Sequence, residues 1–131
     1  MNAVNYREAL ERFEGDVDIY LELVDTFLES GFADFDAMRK ELGEGMTKQV
    51  SFRAHKIKGA SLTVGADLLA RLAGDLESAL RERLPDDTRS GAHDQDRAPG
   101  ECAGIIDEIE RAYGVTVREL DAIRNELRKR P

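Results

Sequence analysis

The imidazole of His55 is the side chain in this sequence best suited to chemistry. Imidazole is both nucleophilic and largely neutral near pH 7. Lys58 follows at i+3, on a neighbouring line of the same helical surface and one turn away, where its ammonium could contact an anionic group carried by the ring. Gly59 follows at i+4. A mid-helix glycine costs about 1 kcal/mol relative to alanine, a cost that makes sense if something must come close to His55. The charge pattern agrees. The chain has a formal net charge of −8, yet Met46 to Ala66 contains no acid and holds Lys48, Arg53, Lys56 and Lys58. Such a cationic island in an acidic protein suggests one place built to meet negative charge. Taken alone, an outward histidine is an ordinary surface residue and Lys58 an ordinary solvated lysine. The combination gives them meaning.

The helix that must carry them is predicted over about Thr47 to Val64. At ~100° per residue, Val50, Ala54, Ile57, Ser61 and Val64 fall in a sector of about 80°. His55 lies about 140° from Val50 and Gly59 about 180°, so both face outward with Lys48, Phe52 and Leu62. Lys56 points about 100° away from His55 and contributes mainly field. Phe52 and Leu62, one and two turns from the histidine, read as an apolar rim for a partner surface, because neither points to the core.

Around this helix the pattern is helical throughout. Asn5 to about Phe13 opens with a capping-box variant, Asn5 and Glu8. Gly15 breaks the helix and Asp16 is a good N-cap for the next. From Val17 to Leu42 the apolar positions Leu21, Val24, Leu28, Phe35, Met38 and Leu42 predict one long amphipathic helix, with Gly31 as a small gap on its stripe. Gly43 and Gly45 bracket a short turn, and Gly65 is expected to end the His55 helix in a left-handed conformation. A further helix is predicted from about Asp67 to Arg83, with Leu69, Leu72, Leu76 and Leu80 inward. Leu84 to Gly100 is polar, with two prolines and two glycines; it reads as a flexible loop, long for a helix–helix connection. The last helix, about Glu101 to Lys129, carries Ile105, Ile109, Ala112, Leu120, Ile123 and Leu127. Within it, Gly114-Val115-Thr116-Val117 is a weak helical patch that leaves room for a kink. The fold class expected is all-α: an antiparallel up-down four-helix bundle with a short extra N-terminal helix, formed by residues 1–131 as a single domain.

Composition narrows the function. Net negative charge argues against general affinity for nucleic acid or anionic membranes. No run approaches the ~18–20 apolar residues needed to span a bilayer, and charged residues stand where a leader would need an apolar run. With a single cysteine, Cys102, no internal disulfide can form, which suits a reducing cytosol and a cytoplasmic localisation. Cys102 is expected to be partly buried rather than nucleophilic. His93, in a carboxylate-rich loop, is a poor metal ligand and is expected to be inert. A monomer is expected, since each apolar stripe can be buried internally.

Ala54-His55-Lys56-Ile57-Lys58-Gly59-Ala60-Ser61, followed by Val64-Gly65-Ala66 and then Leu69, Leu72 and Leu76-Glu77, resembles the histidine-containing phosphotransfer (HPt) domain. The family motif is H-x-aliphatic-K-G-small-small, with a glycine ten residues after the histidine and a leucine-rich helix behind it. The resemblance is specific over Val50 to Glu77 and covers nearly the whole chain apart from the Leu84–Gly100 loop. It implies that His55 is the phosphoacceptor, through Nε2, that Lys58 orients or neutralises the phosphoryl group, and that Gly59 gives steric clearance. Glu77 falls where the family often has glutamine or glutamate near the imidazole. There it could hold the ring by a hydrogen bond, or repel phosphate. The partners implied are response-regulator receiver domains and a hybrid sensor histidine kinase, docking on Lys48, Phe52, Lys56 and Leu62. No cofactor or metal is expected on this chain, Mg2+ being expected on the receiver. The chain contains no P-loop or glycine-rich nucleotide-binding pattern, so a phosphocarrier is expected rather than an ATP-dependent kinase. The alternative is an HPt-like binding module that docks a receiver or another signalling partner without transferring phosphate.

Overall fold

The computed structural model describes residues 3–30, 33–81 and 99–129, and all regular structure in them is helical. The elements are α1 (Tyr6–Arg12), α2 (Val17–Glu29), α3 (Phe35–Gly43), α4 (Thr47–Val64), α5 (Asp67–Arg81) and α6 (Pro99–Arg128). Among the described residues no helix is long and apolar enough to cross a membrane. Gly31 and His93 lie outside the described residues, as do positions 82–98, which hold most of the Leu84–Gly100 segment.

The helix expected over Val17 to Leu42 is two helices. α2 stops at Glu29, and Asp34 starts α3 by accepting a hydrogen bond from the backbone of Ala37 at 3.0 Å. An aspartate N-cap satisfies one of the otherwise unpaired first-turn donors, and this restarts the chain as a new helix. The seven-residue step from Leu28 to Phe35 conceals the break, because it keeps the apolar phase. The last helix also starts two residues earlier than expected, with Pro99 in its first turn, where a missing N–H costs nothing. It continues without interruption through Gly114–Val117.

The other termini follow the local chemistry. Asp16 caps α2 through the Ile19 N–H at 3.2 Å. Asn5 accepts from the Glu8 N–H, and its own side-chain amide donates to the Glu8 carboxylate. Gly65 ends α4 at φ 81°, in the left-handed region. Glycine is required there for a second reason: a Cβ would lie 2.6 Å from the Asn5 carbonyl oxygen. The Asn5 N–H donates to Gly65 O at 2.8 Å, so the N-terminal segment is fastened directly onto the α4–α5 turn.

α4 packs along α5 and α5 along α6. α2 and α3 each contact α4 and α6, and α1 sits against α2 and α4. All five residues of the predicted α4 stripe are buried. Leu69, Leu76 and Leu80 of α5 are fully buried, each such side chain contributing about 1.5–3 kcal/mol, whereas Leu72 is half-buried. Tyr20, Phe27 and Ile106 join the core although the apolar stripes pass them by, and Cys102 is fully rather than partly buried. Ion pairs tie the elements together outside the core: Arg39 of α3 with Asp107 and Glu110 of α6, and Arg124 and Arg128 of α6 with Asp25 of α2.

Candidate functional site

The Gly65 turn determines what faces His55. His55 lies ten residues before Gly65 and Glu77 twelve after it; at about 1.5 Å of rise per residue these are runs of ~15 Å and ~18 Å. Folding α5 back along α4 therefore brings Glu77 level with the histidine. Glu77 Oε2 lies 3.2 Å from His55 Nδ1, and its side chain is only 13% exposed where that of His55 is 72% exposed. A nearly buried carboxylate thus holds one nitrogen of a ring whose remaining edge faces solvent.

The second carboxylate oxygen, Oε1, faces the Lys58 ammonium at 3.7 Å. That distance is an ion pair rather than a hydrogen bond, and Oε1 is buried without a hydrogen-bond partner among the described residues. The lysine, the histidine and the glutamate therefore form one connected cluster. Lys58 reaches it across Gly74 of α5: a Cβ at Gly74 would lie 3.9 Å from Lys58 Cδ. Sequence reasoning missed Gly74. The available signal was a glycine inside a helix three residues before Glu77.

Gly59 is exposed, and a Cβ built on it would meet nothing within 4 Å. Space beside the imidazole is thus open in the protein itself. Phe52 is 60% exposed and Leu62 43% exposed, on the His55 face as expected. Lys48 and Lys56 are exposed, and the Lys56 ammonium sits 5.4 Å from the centre of the Phe52 ring, in cation–π range. An apolar groove between α2 and α4 is lined by Leu23, Phe27, Ala60 and Val64 together with Thr26, Ser30 and Thr63.

The basic island is smaller than the sequence suggests. Arg53 is engaged by both oxygens of Glu41, at 2.7 and 3.0 Å, and this bidentate hydrogen bonding raises its already high pKa. Its charge is spent on tying α4 to α3, leaving Lys48, Lys56 and Lys58 as the cations of the face. Lys48 sits in the first turn of α4, which has no acid and no side-chain cap. Cations there oppose the helix dipole by about 0.3–1 kcal/mol, so local helix stability gives way to an acid-free surface.

The C-terminal end of α4 is fixed from the other side. Tyr20 Oη donates to Val64 O at 2.7 Å, and the Arg12 guanidinium donates to Leu62 O at 2.6 Å. Burial pushes the Tyr20 phenol well above its ordinary pKa of 10.0, so it remains a donor. The helix carrying the imidazole is thus held at its end by α1 and α2 and along its flank by α5. Residues 22–128 match the family model described as Hpt domain. Neither the curated proteins nor the solved structures provided a match.

Proposed function

The chain belongs to the Hpt domain family, whose activity is histidine phosphotransfer in two-component signalling, and from that premise we propose that His55 accepts and donates a phosphoryl group through Nε2, exchanging it with the phospho-aspartate of receiver domains. The observation that carries this is the pairing of an exposed imidazole with the shielded Glu77, at 3.2 Å from Nδ1. The carboxylate accepts a hydrogen bond from Nδ1–H, which fixes the tautomer with its lone pair on Nε2, the nitrogen left free for attack. Nε2 forms a bond to phosphorus as the phosphorus–oxygen bond to the aspartate breaks, and that electron pair leaves on the receiver's carboxylate. The Nδ1 proton stays between ring and Glu77, whose negative charge stabilises the positive ring formed. The reverse sequence returns the group.

Phosphoryl transfer is mostly positioning and charge stabilisation, so the carrier need supply little else. Lys58 neutralises charge on the transferred group, and Gly59 leaves room for the receiver's loops. Phe52 and Leu62 provide apolar contact, while Lys48 and Lys56 attract an acidic partner surface. Any metal assisting the aspartate belongs to the receiver. The chain acts as a cytoplasmic, monomeric carrier between a hybrid sensor kinase and a response regulator, without kinase activity of its own. Its frame is read as an up-down four-helix bundle in which α2 and α3 together form one of the four rods; the packing of α4 on α5, α5 on α6 and α3 on α6 supports this.

The test is transfer from a receiver labelled on its aspartate. The protein should acquire an acid-labile, alkali-stable label, and His55→Gln should abolish it. Label retained in His55→Gln would place the acceptor elsewhere, and receiver binding without transfer in either direction would mean a docking module.

A further inference from the structure

We propose that Gly74 is a positioning residue for the phosphoryl-contacting lysine: its missing side chain gives the Lys58 stem a lane across α5, along which the ammonium reaches Glu77. This deepens the phosphotransfer reading of His55 and rests on it.

Three observations converge on Gly74. It lies within α5, Asp67–Arg81, with no positive φ, so neither a turn nor a backbone requirement accounts for a glycine there. Its Cα surface lies against Lys58, at the 3.9 Å separation from Cδ that an added Cβ would have. Finally, Lys58 ends 3.7 Å from Glu77 Oε1, an oxygen that is buried and accepts no hydrogen bond among the described residues. A buried carboxylate oxygen without a hydrogen bond is costly unless a cation faces it. Lys58 is that cation, and its stem passes close to Gly74, with Cδ 3.9 Å from where a Cβ would stand.

Glu77 therefore holds nucleophile and cation together: Oε2 takes the imidazole, and Oε1 takes the ammonium. In the unphosphorylated protein the lysine is kept beside the ring on the α5 side. A phosphoryl group arriving on Nε2 brings a second anion into competition for the same ammonium. The lysine needs only to pivot on a stem that no side chain longer than a methyl confines. A side chain extending beyond Cβ at position 74 would occupy the lane and push the stem aside, separating Lys58 from Glu77 and from the ring. Alanine would not, since a Cβ at 3.9 Å is an ordinary van der Waals contact.

The experiment compares Gly74→Leu, Gly74→Gln and Gly74→Ala, each alone and with Lys58→Met. The first readout is the rate of transfer from a phosphorylated receiver. The second is the Lys58 Nζ chemical shift in the unphosphorylated protein, which needs no partner. Gly74→Leu and Gly74→Gln should slow transfer about tenfold and move the Lys58 resonance in the same direction as a Glu77→Gln control, which removes the charge that faces the ammonium. Gly74→Ala, the conservative variant, should retain both properties. In the Lys58→Met background the larger substitutions should cause no additional loss, since they act through the lysine. Equal losses with and without Lys58, or an unmoved Lys58 resonance in folded Gly74→Leu and Gly74→Gln, would overturn the proposal. Wild-type protein that takes no phosphoryl group at all would instead refute the phosphotransfer reading, and the Lys58 resonance would still decide the role of Gly74.

Discussion

Gly59→Ala sets stability against function at one position. Gly59 is helical and interior to α4, and a Cβ there meets no atom within 4 Å. The substitution therefore adds no strain, and it removes backbone freedom that the unfolded chain would otherwise gain. The expected stabilisation is about 0.5–1 kcal/mol, which for a domain of this size raises the melting temperature by roughly 2–5 °C. The same methyl group lies one turn from His55, where side chains at i and i+4 sit about 5–6 Å apart. In-line attack requires the reacting atoms to approach within about 3–3.5 Å, and a displacement near 1 Å can cost about a hundredfold in rate. Transfer should accordingly fall by about 10- to 100-fold in a protein that melts higher than wild type. The assay pairs thermal unfolding with single-turnover transfer from a labelled receiver. A stabilised variant with unchanged transfer would refute the clearance argument, and a destabilised one would refute the open geometry at Gly59.

Gly65→Ala is the same substitution with the opposite expected sign: φ of 81° and a Cβ 2.6 Å from Asn5 O should cost about 2 kcal/mol or more in urea unfolding. Tyr20→Phe removes the hydrogen bond to Val64 O and should cost about 1 kcal/mol. Because burial raises the Tyr20 pKa in the folded state, its contribution is fully present below the unfolded value of 10.0 and is lost as pH rises beyond it, so the wild-type stability advantage over Tyr20→Phe should shrink in alkaline melts. Phe52→Ala and Leu62→Ala should leave the melting temperature nearly unchanged, since both side chains are exposed; each should weaken receiver binding by about 1–2 kcal/mol in titration calorimetry. A large stability loss with normal binding would make them structural residues.

What the sequence made legible was whatever is local or periodic. The α4 stripe from Val50 to Val64, the Asp16 cap and the left-handed Gly65 all follow from spacing and single-residue conformational preference. The division of α2 from α3 was hidden because Leu28 and Phe35 preserve the helical phase across it, and only the Asp34 cap betrays a new start. Tyr20 and Phe27 were passed over because a second apolar line, Leu21 and Leu28, runs beside them; Tyr20 can be buried only because its hydroxyl finds Val64 O, 44 residues away. The candidate site divides in the same way. His55, Lys58 and Gly59 share one helix surface, so their grouping was readable. By spacing Arg53 belongs to a basic face, but its charge is taken up by Glu41 on another helix, and the use of Gly74 depends on a lysine from the facing helix. Contacts between elements carry no signature in a single sequence.

Nε2 of His55, the nitrogen that Glu77 does not hold, is the proposed attachment point of the phosphoryl group. The most direct test is nitrogen and phosphorus NMR of the 15N-histidine-labelled protein after exposure to a phosphorylated receiver. Phosphorus coupled to Nε2 of His55 is expected, with Nδ1 retaining its proton toward Glu77. Phosphorus coupled to Nδ1, or to any residue other than His55, would contradict it.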